Sequence, residues 1–283
     1  MSTGRYPTRR EFLGSVAALL AAGCVRRDSA GAAGQGSGIV RFGVFADPQY
    51  ADREAAGTRA YRDSLAKLAQ FAETMNREKP DFAIGLGDFI DGGDSAEADL
   101  ECLRRIEAAY RRFEGARHHV LGNHDVKRLT KKQFLAETGS PAAHYAFDSG
   151  PVRFIVLDAD YDGEFVSCEA RRFDWTKTYV PPEQQKWLVA DLERTRAKAI
   201  VFVHQPLDDE EGPHGVKNAP DVRRILEASG KVLAVFQGHN HAGGYRCING
   251  IHYFTMRGMV EGAGLGNNGY ALVAVSADGR IRV

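Results

Sequence analysis

The chain has 283 residues, 43% of them hydrophobic and 26% charged, the proportions of an ordinary folded globule rather than of a disordered or membrane-embedded chain. Lysine plus arginine and aspartate plus glutamate both number 37, so no broad basic field exists to draw nucleic acid or anionic lipid, and any phosphate recognition has to be local. A body of roughly 250 residues is long enough for one large α/β domain with a buried core.

Residues 1–37 read as a targeting segment and linker ahead of a domain over 38–283. Thr8-Arg9-Arg10-Glu11-Phe12-Leu13 sets a twin arginine before an apolar run from Phe12 to Gly23, which resembles a twin-arginine export signal. The run is shorter than the about 20 apolar residues of a spanning helix, so it reads as a signal and not an anchor. Two cleavage sites are open. Leu20-Ala21-Ala22-Gly23-Cys24 resembles a lipoprotein box that would lipidate Cys24, with Ala21 where leucine is usual, and Ala30-Gly31-Ala32 is a plain small-residue site. Either leaves a flexible Gly/Ala/Ser stretch from Ser29 to Ser37 and implies a periplasmic protein, touching a membrane only through the signal or a lipid on Cys24. Cys102, Cys168 and Cys247 remain in the body, too few and odd in number for a disulfide framework. That suits export of a chain already folded in the reducing cytoplasm.

The β-branched and aromatic run Ile39 to Phe45 ends in Asp-Pro and reads as the first strand. Thr58 to Arg77 carries Tyr61, Leu65, Leu68, Phe71 and Met75 at helical spacing, and Lys79-Pro80 closes it before a strand over Phe82 to Leu86. Leu100 to Phe113 repeats the helical pattern and His118 to Leu121 the strand, so parallel pairing with right-handed crossovers is expected. Tyr145-Ala146-Phe147 and Val152 to Leu157, parted by Ser149-Gly150-Pro151, read as a hairpin. Pro182 to Arg196 is a helix with proline at its start, Ala199 to Val203 an apolar strand, and the tail from Lys231 mostly strand. The pattern predicts an α/β sandwich of two packed sheets flanked by helices.

Four polar clusters sit where apolar runs stop: Asp47-Pro48-Gln49, Gly87-Asp88-Phe89-Ile90-Asp91, Gly122-Asn123-His124-Asp125, and His204 with Gly238-His239-Asn240-His241. Loops at the carboxyl ends of strands converge on one crevice in α/β sheets. Asp47 and Gln49, two apart, would fall on one side of an extended segment. Asp88 offers two carboxylate oxygens to bridge two ions, Asn123 an amide oxygen, and His204, His239 and His241 imidazole nitrogens. Each cluster alone is an ordinary turn or core histidine; together they describe a site for two divalent metals.

In order and spacing these blocks resemble the calcineurin-like metallophosphoesterases, over Phe42 to about Ala274. The resemblance implies that family's αββα sandwich, one cation held by Asp47, Gln49, Asp88 and His241, and a second held by Asp88, Asn123, His204 and His239. His124 would stand beside the scissile phosphate, with Asp91 orienting it. Glutamine at 49, where histidine is usual, together with Gly57-Thr58-Arg59 and Gly243-Gly244-Tyr245, is similar to the manganese-dependent ADP-ribose/CDP-alcohol diphosphatase branch. Gln49 also makes the first ligand set harder, with three oxygens and one nitrogen, which suits Mn²⁺ or Mg²⁺ better than Zn²⁺; manganese is the first choice, with Fe, Mg²⁺ or Zn²⁺ as alternatives. The chemistry expected is in-line displacement by water without a covalent enzyme intermediate, with His124 as an imidazolium that steadies charge or protonates the leaving oxygen.

The substrate expected is therefore a small phosphoester or nucleoside diphosphate-linked molecule, with a broad phosphomonoesterase or phosphodiesterase as the alternative. A non-catalytic metal- or phosphate-binding protein is the reading from another class, and His124 speaks against it because a binding module has no use for a proton donor. Asp88 to Asp94 lacks the alternating acidic spacing of a calcium loop, and Asp91 stands where a purple acid phosphatase needs tyrosine. His118, His119, His144 and His252 read as structural. Arg59 and Arg62 read as surface ion-pair partners, His214 as part of a lid, and Phe165, Phe173 and Trp175 as packing of the long loop from Asp160 to Val180, with stacking on a nucleobase as the functional alternative.

Overall fold

Two sheets form from the β-branched and aromatic runs, and amphipathic stretches between them cover the outer faces. The computed structural model describes residues 38–283 apart from 171, 172 and 210, so the proposed signal, both cleavage sites and the linker lie outside the described residues. The first sheet contains β1 (Ile39–Phe45), β2 (Phe82–Gly85) and β3 (Ala116–His119), with β10 (Tyr270–Ser276) and β11 (Ile281–Arg282) in the order β11-β10-β1-β2-β3. β1, β2 and β3 run parallel as expected, and β10 lies antiparallel to β1. The second sheet contains β4 (Tyr145–Ser149), β5 (Val152–Val156), β6 (Lys198–Phe202), β7 (Val232–Gln237), β8 (Gly244–Ile248) and β9 (Ile251–Thr255), in the order β4-β5-β6-β7-β9-β8. Its four inner strands are parallel and its two edges antiparallel.

The sheets meet through an aromatic layer. Phe42 stacks on Phe82 at 5.2 Å and receives the edges of Phe154, Phe202 and Phe236 at 5.4–5.7 Å, offset and edge-on arrangements that add to the gain from burial. On the outer face of the first sheet pack α1 (Asp63–Glu78), α2 (Ala96–Tyr110) and α3 (Lys131–Thr138); α4 (Pro182–Arg194) and α5 (Ala219–Ser229) cover the second. The layers are thus αββα, as the sequence implies.

Two helices were not anticipated. The chain at α3 is short, but Thr130 and Gln133 form a full capping box and Gly139 closes the helix at φ 74°, so a local signal was present. α5 begins with proline in its first turn and ends at Gly230. The first helix starts five residues later than its periodicity suggests. Thr58 to Ala60 instead pair with the loop after β9: Ala60 N–H donates to the Val260 carbonyl at 2.9 Å and Gly262 N–H to that of Thr58 at 2.7 Å. The buried Lys67 ammonium fixes the same loop through the Met259 and Gly262 carbonyls at 2.7 and 2.6 Å. Among the described residues no helix is long and apolar enough to cross a membrane.

Candidate metal centre

The polar clusters follow β1, β2, β3, β6 and β7, and their loops are sewn together by main-chain hydrogen bonds. Asp47 N–H donates to the Gly87 carbonyl, Gln49 N–H to that of Asp88 and Gly238 N–H to that of His204, all at 2.9–3.1 Å. Asp47, Gln49, Asp88 and His239 adopt positive φ, between 41° and 64°. The segment from Asp47 to Gln49 is therefore not extended, which corrects the expectation from spacing; two left-handed residues turn both side chains inward instead. Such backbone costs on the order of 1 kcal/mol per residue and persists where surrounding contacts hold it.

Asp88 is the hub. Its Oδ2 lies 3.3 Å from His204 Nε2 and accepts Gln49 Nε2–H at 3.0 Å, while Oδ1 accepts His124 N–H at 2.8 Å. Asp47 stands beside it, with Oδ1 at 3.5 Å from His241 Nε2 and 4.0 Å from His204 Nε2, and its carboxylate accepts His239 N–H at 3.0–3.2 Å. Asp88, His204 and His239 each present a ligand atom within 4.8 Å of the others. Asn123, next to His124, is 5% exposed. Six of the seven residues expected to hold cations thus come to one place, with Asn123 next in the chain to His124, and His124 and Asp91 meet there: His124 Nδ1 lies 2.8 Å from the Asp91 main-chain oxygen and 3.4 Å from its carboxylate.

Whether divalent cations suit this place is decided by the atoms left over. Gln49 Oε1, Asn123 Oδ1, His204 Nε2 and His239 Nε2 are buried without a hydrogen-bond partner, although buried polar atoms are nearly always paired. Each is a metal-binding atom and each belongs to the expected set. Backbone space agrees: a Cβ on Gly122 would lie 2.3 Å from both Asp88 N and Oδ1, and one on Gly87 would press on His204 Nδ1 at 2.7 Å. Only glycine lets the loops close this tightly around the carboxylate. The donor set fits divalent cations.

The charges of these groups act strongly on one another. Burial opposes ionisation of Asp88, yet His204 and His124 hold its carboxyl well below the usual range. Burial works against a proton on His204, but Asp88, with Asp47 and Asp160 behind it, lifts its pKa to about 10. His239 is held well below the ordinary value by burial and then by His204, so its nitrogen lone pair stays available. His241, despite burial, is raised by Asp47 and Glu261. Burial lowers the His124 pKa, with Asp88 opposing it and Lys127, Arg59 and His204 adding to it, which works against the imidazolium form. A phosphate anion beside it is the negative charge that would let it take a second proton.

Further residues that the sequence reading passed over shape the site. Asp125 accepts the N–H groups of Phe89, Ile90 and Gly122 at 2.8–3.3 Å and pins two site loops to each other. It lies in the same Gly-Asn-His-Asp block, which was its signal. Glu261 accepts from His241 Nδ1 at 2.7 Å, and the Leu86 carbonyl does so from His204 Nδ1 at 2.7 Å; such partners fix ring orientation, and nothing local in sequence marks them. Arg53 and Arg59 pair with the Asp91 carboxylate, and Arg59 also lies 4.0 Å from Glu261. Arg59 therefore faces the centre, whereas Arg62 turns to Asp52 and Glu54 on the surface.

The remaining histidines lie elsewhere. His118 stacks on Phe147 at 3.7 Å, His119 bonds Glu107 at 2.9 Å, His144 packs on Trp187, and His252 bonds Tyr245. The aromatic residues of the long loop separate: Phe173 packs against the core under the first sheet, Phe165 sets its edge to Tyr179, and Trp175 comes beside the centre with its ring 5.4 Å from that of His239. His214 is there too, 5.3 Å from His239.

A family model described as calcineurin-like phosphoesterase matches residues 40–243. A rice protein named manganese-dependent ADP-ribose/CDP-alcohol diphosphatase is 30% identical over 271 residues, covering 79% of this chain and 84% of its own; a human protein of the same name is 26% identical over 288 residues, covering 80% and 84%. A crystal structure of a dimetal phosphatase from Danio rerio superposes with a TM-score of 0.72 at 23% identity, over 83% of this chain and 92% of that one. With a family model spanning most of the chain and the fold shared, this chain belongs to the calcineurin-like phosphoesterase family and is a metal-dependent phosphoester hydrolase.

Proposed function

We propose that the protein cleaves the diphosphate bond of nucleoside diphosphate-linked small molecules, using two divalent cations of which manganese is the first choice. The observation that carries the metal part is a set of buried donor atoms, of which Gln49 Oε1, Asn123 Oδ1 and His239 Nε2 have no hydrogen-bond partner and His204 Nε2 faces the Asp88 carboxylate at 3.3 Å. In this reading Asp47, Gln49, Asp88 and His241 hold one cation and Asp88, Asn123, His204 and His239 the other. When bound, such a pair polarises phosphoryl oxygens and makes a nucleophile of water at neutral pH. The chain's own residues do the rest. Asp88 and Asp47 concentrate negative charge where cations belong, His124 holds its Nδ1 proton against the Asp91 main-chain oxygen and so presents Nε2 to the substrate, and Asp91, tied to Arg53 and Arg59, keeps that ring in place. A phosphate leaving group, with a second pKa near 6, needs less help from a proton donor than an alkoxide does, so His124 matters less for diphosphates than for alkyl phosphates.

The substrate reading is supported by Gln49 and by the names of the relatives. Its test is to purify the protein without residues 1–37, strip metals, and add back Mn²⁺, Mg²⁺, Fe²⁺ or Zn²⁺ against ADP-ribose, CDP-alcohols, p-nitrophenyl phosphate and bis(p-nitrophenyl) phosphate. Preference for the first two with Mn²⁺ is expected; a preference for p-nitrophenyl phosphate defeats it in favour of a broad phosphatase. We also propose export by the twin-arginine route, on Arg9-Arg10 and the apolar run behind them. Replacing both arginines by lysine is expected to keep the protein in the cytoplasm, read by cell fractionation.

A further inference from the structure

We propose that Trp175 is the platform on which the planar base of the substrate stacks, which makes it a specificity-determining residue; the proposal rests on the nucleoside diphosphate reading above. Three rings form one wall of the centre. Trp175 meets His239 edge-on at 5.4 Å and 71°, His214 meets His239 at 5.3 Å and 73°, and Trp175 and His214 lie 5.8 Å apart at a 37° tilt. Since His239 is one of the buried donors around Asp88, the indole stands one ring away from where the phosphate reacts. Yet Trp175 is 43% exposed, unlike Phe173 of the same loop, which packs against the core. An indole partly open to water one ring from the phosphate is suited to an aromatic group joined to that phosphate.

The platform is held in place. Asp174 Oδ1 accepts Thr176 N–H at 3.1 Å and its hydroxyl at 2.5 Å, and Lys177 N–H donates to the Asp174 carbonyl at 2.9 Å, so Trp175 sits inside a locked turn. That turn is laced to the segment after His214: Lys217 N–H donates to the Thr178 carbonyl at 2.9 Å, and Asn218 exchanges two hydrogen bonds with Val180 at 2.8 and 3.0 Å. A ring fixed before binding loses little freedom when it is covered. Stacking on an indole also tolerates different bases, because every base has a π face. One wall can then serve purine and pyrimidine diphosphates alike, whereas specificity by hydrogen bonds to base edges would not.

The chain has two tryptophans, and the other, Trp187, packs beside His144 on α4 with ring centres 4.8 Å apart. A Trp187→Phe protein therefore reports from Trp175 alone. In its Mn²⁺-loaded form, AMP and CMP are expected to quench that emission saturably and ribose 5-phosphate to leave it in place. In kinetics, Trp175→Ala should shrink the preference for ADP-ribose over a base-free alkyl diphosphate about tenfold, chiefly through KM, and Trp175→Phe should restore most of it. Equal quenching by ribose 5-phosphate, or an unchanged preference in Trp175→Ala, overturns the assignment. Should ADP-ribose and CDP-alcohols prove not to be substrates, the functional reading has failed separately, and quenching by AMP still decides whether Trp175 takes a base.

Discussion

The two sheets bring different chemistry to the same edge. Loops after the first sheet supply oxygen donors, from Asp47, Gln49, Asp88 and Asn123, and loops after the second supply nitrogen, from His204, His239 and His241. The oxygen half carries three of the four strained positions, at Asp47, Gln49 and Asp88, and the nitrogen half only His239. The asymmetry has a physical source. The backbone turns Asp47, Gln49 and Asp88 inward, while His204 and His241 reach the centre without such a turn and have a partner for the other nitrogen, the Leu86 carbonyl and Glu261. Cations at this junction would tie the sheets together at one rim, as Phe42 does in the middle.

The strongest way to break the junction is Asp88→Asn, which removes the charge that both halves face. Activity should fall on the order of 10³-fold or more with loss of bound metal by elemental analysis; a fully active, metal-loaded variant would sink the scheme. Next comes His124→Ala, which lies outside both donor sets. Hydrolysis of p-nitrophenyl phosphate should drop about 10²-fold and that of a diphosphate about tenfold, and equal losses on both would remove the proton-donor assignment.

Metal removal tests whether the cations clamp the sheets. Saturating Mn²⁺ at about 100 times its Kd contributes about 2.7 kcal/mol, which for a domain of this size is a rise in Tm of about 5–10 °C over the chelated protein; coincident melting curves would show no clamp. Gln49→His makes the oxygen half resemble the nitrogen half, and the metal giving the highest kcat/KM should move from Mn²⁺ toward Zn²⁺ or Fe²⁺.

The smallest effect concerns another place where the sheets touch, His118 of β3 against Phe147 of β4. Burial lowers the pKa of His118 from 6.5 to about 4. Between those values the unfolded chain binds the extra proton and the folded one does not, so this histidine's contribution is complete above about pH 6.5 and declines as pH falls toward 4, by at most about 1.4 kcal/mol per pH unit. In urea melts across that range His118→Phe should flatten the decline; an unchanged slope would rule out His118 as its source.

Much of this was legible along the chain because the signals were local. Asp-Pro after Phe45, Gly-Asp after Leu86 and Gly-Asn-His-Asp after Leu121 mark places where apolar strands stop and polar groups begin, and period and proline placement gave the crossovers that bring such stops to one rim. At β3 the apolar pattern points two residues too far along the chain, because His118 and His119 look like the start of a strand and are its end. Periodicity also ran the first helix through Thr58 to Arg62, residues that tertiary contact with Val260 and Gly262 uses as an extended clasp.

By itself, then, the sequence determined the two-sheet architecture and marked the candidate donor residues, since both follow from patterns a few residues long. Only the tertiary structure decided the left-handed turns that aim Asp47 and Gln49, the burial that lowers the pKa of His124, the support from Glu261 and Asp125, and the placing of Trp175 beside His239. Each of these depends on what lies across space from a residue, its desolvation, its charged neighbours and the partner for a second nitrogen, and none of that is written in the spacing along the chain.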